Sequence, residues 1–186
     1  FHSGEGAIQF APEAIARSNA DILKDDELRK EFIEIYSEQG KDEARNWINS
    51  SYGPFSEEEL DHRMSRYGLN PCGEILGNDF HCNLAEVHLN QIDPKNFEEQ
   101  KKAFKAAALS VACLLNHEFE VERYRKSREY DPIVGVSFTG LFDFCVHAFG
   151  TPWLKWWEAG RPNSKEGEAF KEKEAKFLDS WRKIVK

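Results

Sequence analysis

Apolar residues recur at three- and four-residue intervals through the first part of the chain. Ile15, Ile22 and Leu23, then Leu28, Phe32, Ile33 and Tyr36, predict short amphipathic helices across residues 12–50. Ser51 to Phe55, with Gly53-Pro54, interrupts that period. Ser56 followed by Glu57, Glu58 and Glu59 predicts a capped helix start whose acidic first turn complements the helix dipole, with a stop near Gly68. From Leu84 to Asn90 the period shortens to two, as in a half-buried strand. Phe97, Phe104, Ala108, Val111 and Leu115 follow at spacings of seven, four, three and four, which gives a helix over about 96–118 one inward face. Ile133 to Phe138 predicts a second, buried strand. After Thr139-Gly140, Leu141, Phe144, Cys145, Ala148 and Phe149 return to helical spacing.

Strand, long helix, strand, helix is the order of a parallel α/β sheet. Cys113 and Cys145 lie in apolar helical patterns and read as small buried hydrophobes. Trp153, Trp156 and Trp157 share one side of a short helix and read as packing residues. The stretch 164–183 is charged with a thin apolar stripe, which predicts a solvated surface helix.

The length, 186 residues, is that of one domain, and 40% hydrophobic with 31% charged residues is a globular composition. No run of about 18 apolar residues and no basic-then-apolar N-terminal stretch is present, so the expectation is a cytoplasmic protein with no membrane partner. A net charge of −8 excludes a non-specific nucleic-acid binder, because neutralising phosphates needs surplus Lys and Arg. Four scattered cysteines fit reduced thiols rather than a disulfide scaffold. The chain begins with Phe1 and its one methionine is Met64, so it reads as a segment of something longer.

Candidate chemistry concentrates in Asn70-Pro71-Cys72-Gly73-Glu74, followed by Cys82-Asn83-Leu84. Pro71 disfavours helix before it and Gly73 admits unusual backbone angles, so the stretch is expected to be extended or looped. Side chains two apart in extended chain would aim Asn70, Cys72 and Glu74 at one space. An amide, a thiol and a carboxylate there could bind a polyol, move hydrogen through sulfur and take up a proton; partial burial of Glu74 would strengthen it as a base. Two other readings stay open on residue types alone. One is a structural loop in which Asn and Glu satisfy backbone groups. The other is a zinc site made of Cys72, His81, Cys82 and His88, although a close Cys-x-x-Cys pair is absent.

Asn70 to Ile75, then Cys82-Asn83-Leu84 leading to His88-Leu89-Asn90, resembles the active-site loop and following strand of ribonucleotide reductases. Val134 to Leu141 resembles a downstream strand, turn and helix of that family. The continuation through Phe142-Asp143-Phe144 to Thr151-Pro152-Trp153-Leu154 is most similar to the monomeric, adenosylcobalamin-dependent ribonucleoside-triphosphate reductases.

The resemblance implies part of a ten-stranded α/β barrel with a central finger loop. Residues 1–67 would be a helical lead-in, 68–82 the active-site loop, 83–150 strand-helix-strand-helix and 151–186 a helical tail. It implies Cys72 as the thiyl-radical cysteine that removes the 3′-hydrogen, Glu74 as acceptor of the 3′-hydroxyl proton, Asn70 as a substrate ligand and Cys82 as one of two reducing cysteines. Thioredoxin would reopen the resulting disulfide, and the remainder of the polypeptide would hold most of the adenosylcobalamin. The family's partner for Cys82 lies upstream, and no cysteine precedes Cys72 here. The family's C-terminal shuttle cysteines, its phosphate-binding segment and its effector-binding insertion are also absent.

Overall fold

The computed structural model describes residues 8–186. They run α1 (Ala11–Ser18), α2 (Asp26–Gln39), α3 (Lys41–Tyr52), α4 (Glu57–Arg63), β1 (Gly68–Leu69), β2 (Leu76–Gly77), β3 (Asn83–His88), a 3-10 turn (Leu89–Gln91), α5 (Phe97–Leu114), α6 (Glu122–Tyr130), β4 (Val134–Thr139), α7 (Leu141–Phe149), α8 (Thr151–Glu158) and α9 (Lys165–Val185). Two compact units result, one from the residues up to His81 plus Phe119–Pro132, the other from Cys82–Glu118 plus Ile133–Lys186.

In the first unit, side chains placed at the helix starts satisfy backbone N–H groups that have no partner within the helix. Asp25 Oδ1 accepts from the N–H of Glu27 and Leu28 at 3.1 and 2.9 Å, and Ser56 Oγ accepts from Glu59 N–H at 3.1 Å. The helical period then brings Ile15, Leu23, Phe32, Ile48, Leu60 and Met64 into one fully buried cluster. Around it lie polar groups buried with their partners. Arg63 Nη1 donates to Asn19 Oδ1 at 3.1 Å, and Asn19 Nδ2 donates to the Ile15 and Arg63 carbonyls. Helix α4 ends at Arg63, before the expected Gly68, because the chain turns there into β1.

The second unit is built on a parallel pair of strands, β3 and β4, in register from Asn83 opposite Val134 to His88 opposite Thr139. Helix α5 lies in the connection between them and packs on both strands, and α9 packs on α5. Along β3 the alternation is as patterned, with Val87 buried and Leu84, Glu86 and His88 exposed. Strand β4 departs from the fully buried expectation. Val136 and Phe138 join the core, whereas Ser137 and Thr139 are exposed, so one of its faces is covered. Gly140 is left-handed at φ 72°, and a Cβ there would sit 2.9 Å from Asn90. This glycine therefore lets α7 start against the 3-10 turn.

Three further expectations are corrected in this unit. The helix over 165–185 is not simply solvated: Trp181 is 2% exposed, stacks on Phe104 at 5.1 Å and donates from Nε1 to the buried Gln100 Oε1 at 3.0 Å. Phe170, Phe177 and Trp181 follow at spacings of seven and four, and such rings outweigh many flanking charges in deciding which face is buried. Cys113 is exposed rather than packed, along with Leu109 and Leu114. The C-terminal half of α5 is apolar on more sides than its neighbours among the described residues cover. Cys145 is buried as expected, at 5% exposure. Trp153 and Trp156 are buried, but Trp157 is 40% exposed. Among the described residues, no helix is long and apolar enough to cross a membrane.

Candidate functional site

The stretch that carries the candidate chemistry is the tip of a two-rung hairpin. Gly68 pairs with Gly77 and Leu69 with Leu76, which leaves residues 70–75 as the connection. The sequence pattern predicts neither short strand, since Gly68-Leu69 and Leu76-Gly77 are too brief for a hydrophobic period to register.

Inside the connection the backbone turns rather than extends, which overturns the shared-face argument for Asn70, Cys72 and Glu74. Gly73 N–H donates to the Asn70 carbonyl at 3.0 Å, and Asn70 N–H to the Ile75 carbonyl at 3.2 Å. The Asn70 side chain locks that turn. Its Oδ1 accepts from the N–H groups of Glu74 and Ile75, each at 3.0 Å, and its Nδ2 donates to Glu74 Oε1 at 2.5 Å. Such closure of a turn by a short amide side chain is the reason Asn favours these positions. Gly73 sits at φ 78°, where a side chain would strain the backbone although nothing lies within 4 Å of its would-be Cβ.

The structure thus brings Asn70 and Glu74 together and sets Cys72 at the exposed tip between them. Glu74 is exposed as well, so the burial on which its strengthening as a base rested is missing here. The arrangement offers an accessible thiol two residues before a carboxylate that is bonded to an amide.

The base of the hairpin is fastened to α6 within the first unit. Ser127 Oγ donates to the Asn78 carbonyl, and His81 packs against Phe119 at 4.3 Å and Tyr124 at 5.1 Å. Behind α6, Asp131 accepts a two-pronged bond from Arg66, at 2.7 and 3.1 Å, and contacts His62 Nε2 at 2.7 Å. Burial pushes the Asp131 carboxyl up, but the hydrogen bond from His62 and the charge of Arg66 outweigh it and hold the group below its ordinary 3.8. Residue types alone gave no sign of this cluster, because Asp131 lies 65 and 69 positions from Arg66 and His62.

Cys82 is half-buried one residue before β3, in the second unit. The next residue fixes that strand start: Asn83 donates from its N–H and from Nδ2 to the Ile133 carbonyl at 3.4 and 3.2 Å. All four cysteines are thiols rather than disulfide halves. Among the described residues no three His, Cys, Asp or Glu side chains gather to hold a metal ion, so the alternative set Cys72, His81, Cys82 and His88 is not assembled.

Comparison with known proteins adds one relative. Over 84 residues, 45% of the chain, the sequence is 38% identical to the adenosylcobalamin-dependent ribonucleoside-triphosphate reductase of Lactobacillus gasseri. The match covers 11% of that enzyme. The chain has a partial relative among the cobalamin-dependent reductases. No family model matches it, and no solved structure matches it.

Proposed function

We propose that this chain is a segment of an adenosylcobalamin-dependent ribonucleoside-triphosphate reductase, forming part of its α/β barrel and carrying the loop on which ribonucleotides lose the 2′-hydroxyl. The observation that carries the reading is the turn at 70–75, which holds an exposed Cys72 thiol in the same short connection as a carboxylate bonded to Asn70. The partial relative supports the same reading. Cys72, as a sulfur radical, takes the 3′-hydrogen of the ribose and later returns it. Glu74 takes the 3′-hydroxyl proton, and Asn70 aims Glu74 while its amide meets the sugar hydroxyls. Cys82 supplies one of the two thiols that reduce the 2′ position as water leaves. The disulfide so formed is reopened by exchange with thioredoxin.

The chain's own residues do not fit the whole cofactor. The aromatic cavity in the second unit is about 460 Å³, the size for a drug-like molecule and several times too small for a corrinoid. Residues elsewhere in the complete polypeptide would hold that group, which supplies the radical when bound.

The test uses the complete polypeptide, with a 3′-tritiated ribonucleoside triphosphate, adenosylcobalamin and reduced thioredoxin. Cys72→Ser should lose both tritium release and deoxynucleotide. Cys82→Ser should keep tritium release while product formation stalls, with release of free base. Identical behaviour of the two variants would overturn the assignment. A structural role for the loop is the second reading, favoured by the way the Asn70 amide closes the turn. On that reading Asn70→Ala lowers stability without a selective fall in kcat; on the first, kcat falls further than folding explains.

A further inference from the structure

The cavity between α7, α8 and α9 has no part in the loop chemistry, and its walls define what it can accept. Its volume of about 460 Å³ is within the range of small-molecule sites. The rings of Phe142, Phe144, Trp153, Trp157, Phe177 and Trp181 line it. At its mouth, Phe142, Trp157 and Leu178 are 43%, 40% and 42% exposed, so large apolar side chains remain in water around an opening into an apolar interior. Solitary exposed hydrophobics are ordinary, whereas a ring of them around a cavity marks a binding site.

The polar atoms in the wall restrict the ligand further. Glu174 accepts from Trp153 Nε1 through Oε1 at 2.7 Å and from Arg161 Nη2 through Oε2 at 2.8 Å. Both carboxylate oxygens are thus engaged, and the two charges cancel. The Arg161 guanidinium lies over the rings of Trp156 and Trp157, at 5.0 and 4.8 Å from their centroids, and carries further N–H donors beyond the one spent on Glu174. Burial pushes the Cys145 thiol up to about 11, so the remaining polar group in the wall is uncharged at neutral pH. A charged ligand would give up hydration here without meeting an unpaired opposite charge. A flat neutral one would find ring faces and a spare donor.

We propose that this cavity binds a small, neutral, planar aromatic molecule bearing a carbonyl-type acceptor, its rings against Trp153 and Trp157 and its acceptor bonded to Arg161. The site stands independently of the reductase reading, since none of its residues belongs to the loop at 70–75.

Coumarin, a neutral bicyclic carbonyl compound, is the probe. It is titrated into the chain while the indole N–H resonances are followed by NMR. Saturable shifts are expected at Trp153 and Trp157, with Trp47 of the other unit unmoved. Leu178→Trp, an exposed position at the mouth, should weaken binding about tenfold by filling the opening. Leu109→Trp makes the same change on the exposed side of α5 and should leave affinity unchanged. Coumarin-3-carboxylate should bind about fivefold more weakly than coumarin. The proposal is overturned by an absence of saturable shifts in a chain with a dispersed indole spectrum, by equal weakening in both tryptophan variants, or by tighter binding of the carboxylate.

Discussion

The two units solve the problem of a small core by different means. Around its core cluster the first unit ties the segment after α1 and the ends of α4 and α6 together with ion pairs: Arg63 to Asp21, and Arg66 with His62 to Asp131. The second unit relies on rings. Trp181 meets Phe104, Phe138, Phe144 and Phe177 at centroid distances of 5.1 to 5.8 Å. Pairs of rings contribute about 0.5–1.5 kcal/mol each beyond simple burial, whatever the pH. Charge clusters hold together only in one state of protonation. The difference therefore predicts units that fail for different reasons.

The largest effect should come from Trp181→Ala, which removes the ring shared by α5, β4, α7 and α9. A loss of about 3–5 kcal/mol is expected in the second unit, measured by denaturant unfolding followed through the indole signals of Trp153 and Trp156. A loss under about 1 kcal/mol would mean that the ring contacts do not hold this unit. Next is Asp131→Asn, which leaves Arg66 and His62 without their carboxylate. It should cost the first unit about 2–4 kcal/mol, read from Trp47, the one tryptophan outside the second unit. If Trp47 and the other indoles lose stability equally, the two units do not unfold separately.

The smallest effect sharpens the contrast. The folded-state pKa of Asp131 lies below its unfolded value near 3.8, so its contribution is complete above 3.8 and is lost as acid protonates the folded group. The Cys145 thiol is shifted the opposite way, to about 11 from 9.0, so its contribution is complete below pH 9.0 and fades as the pH climbs toward 11. The first unit should weaken in acid and the second in alkali. Melting curves of the parent chain and of Cys145→Ala across pH 8–11 test the alkaline half. A slope that survives the substitution unchanged would assign it to other groups.

Much of this was legible in the sequence where the signal is local. Ser56 with three glutamates announced α4, and the change from a period of two to one of 3.6 announced β3 and α5. The sequence pattern failed where side chains from distant segments decide. Helix α6 has hardly any apolar period and is held instead by Ser127 and by Asp131 just beyond its end. Cys113 looks like a core residue because its neighbours in sequence are apolar, but burial depends on neighbours in space. In the candidate site, Pro71 and Gly73 correctly marked a break from helix. The shape of the break was set by the Asn70 side chain bonding forward to Glu74 and Ile75, which an alternation argument does not contain.

The splitting of the first unit by residues 82–118 has a consequence for how the chain is made. Arg66 leaves the ribosome 65 residues before Asp131 does. At synthesis rates of about 5–20 residues per second, that is a wait of about 3–13 s. Through that interval α1 to α4 can collapse around Ile15 and Phe32, but the hairpin with Cys72 hangs without α6 behind it. The Cys72 thiol is thus translated well before the element that braces its support, and the nascent chain passes through a stage in which the cysteine is already present on an unbraced arm.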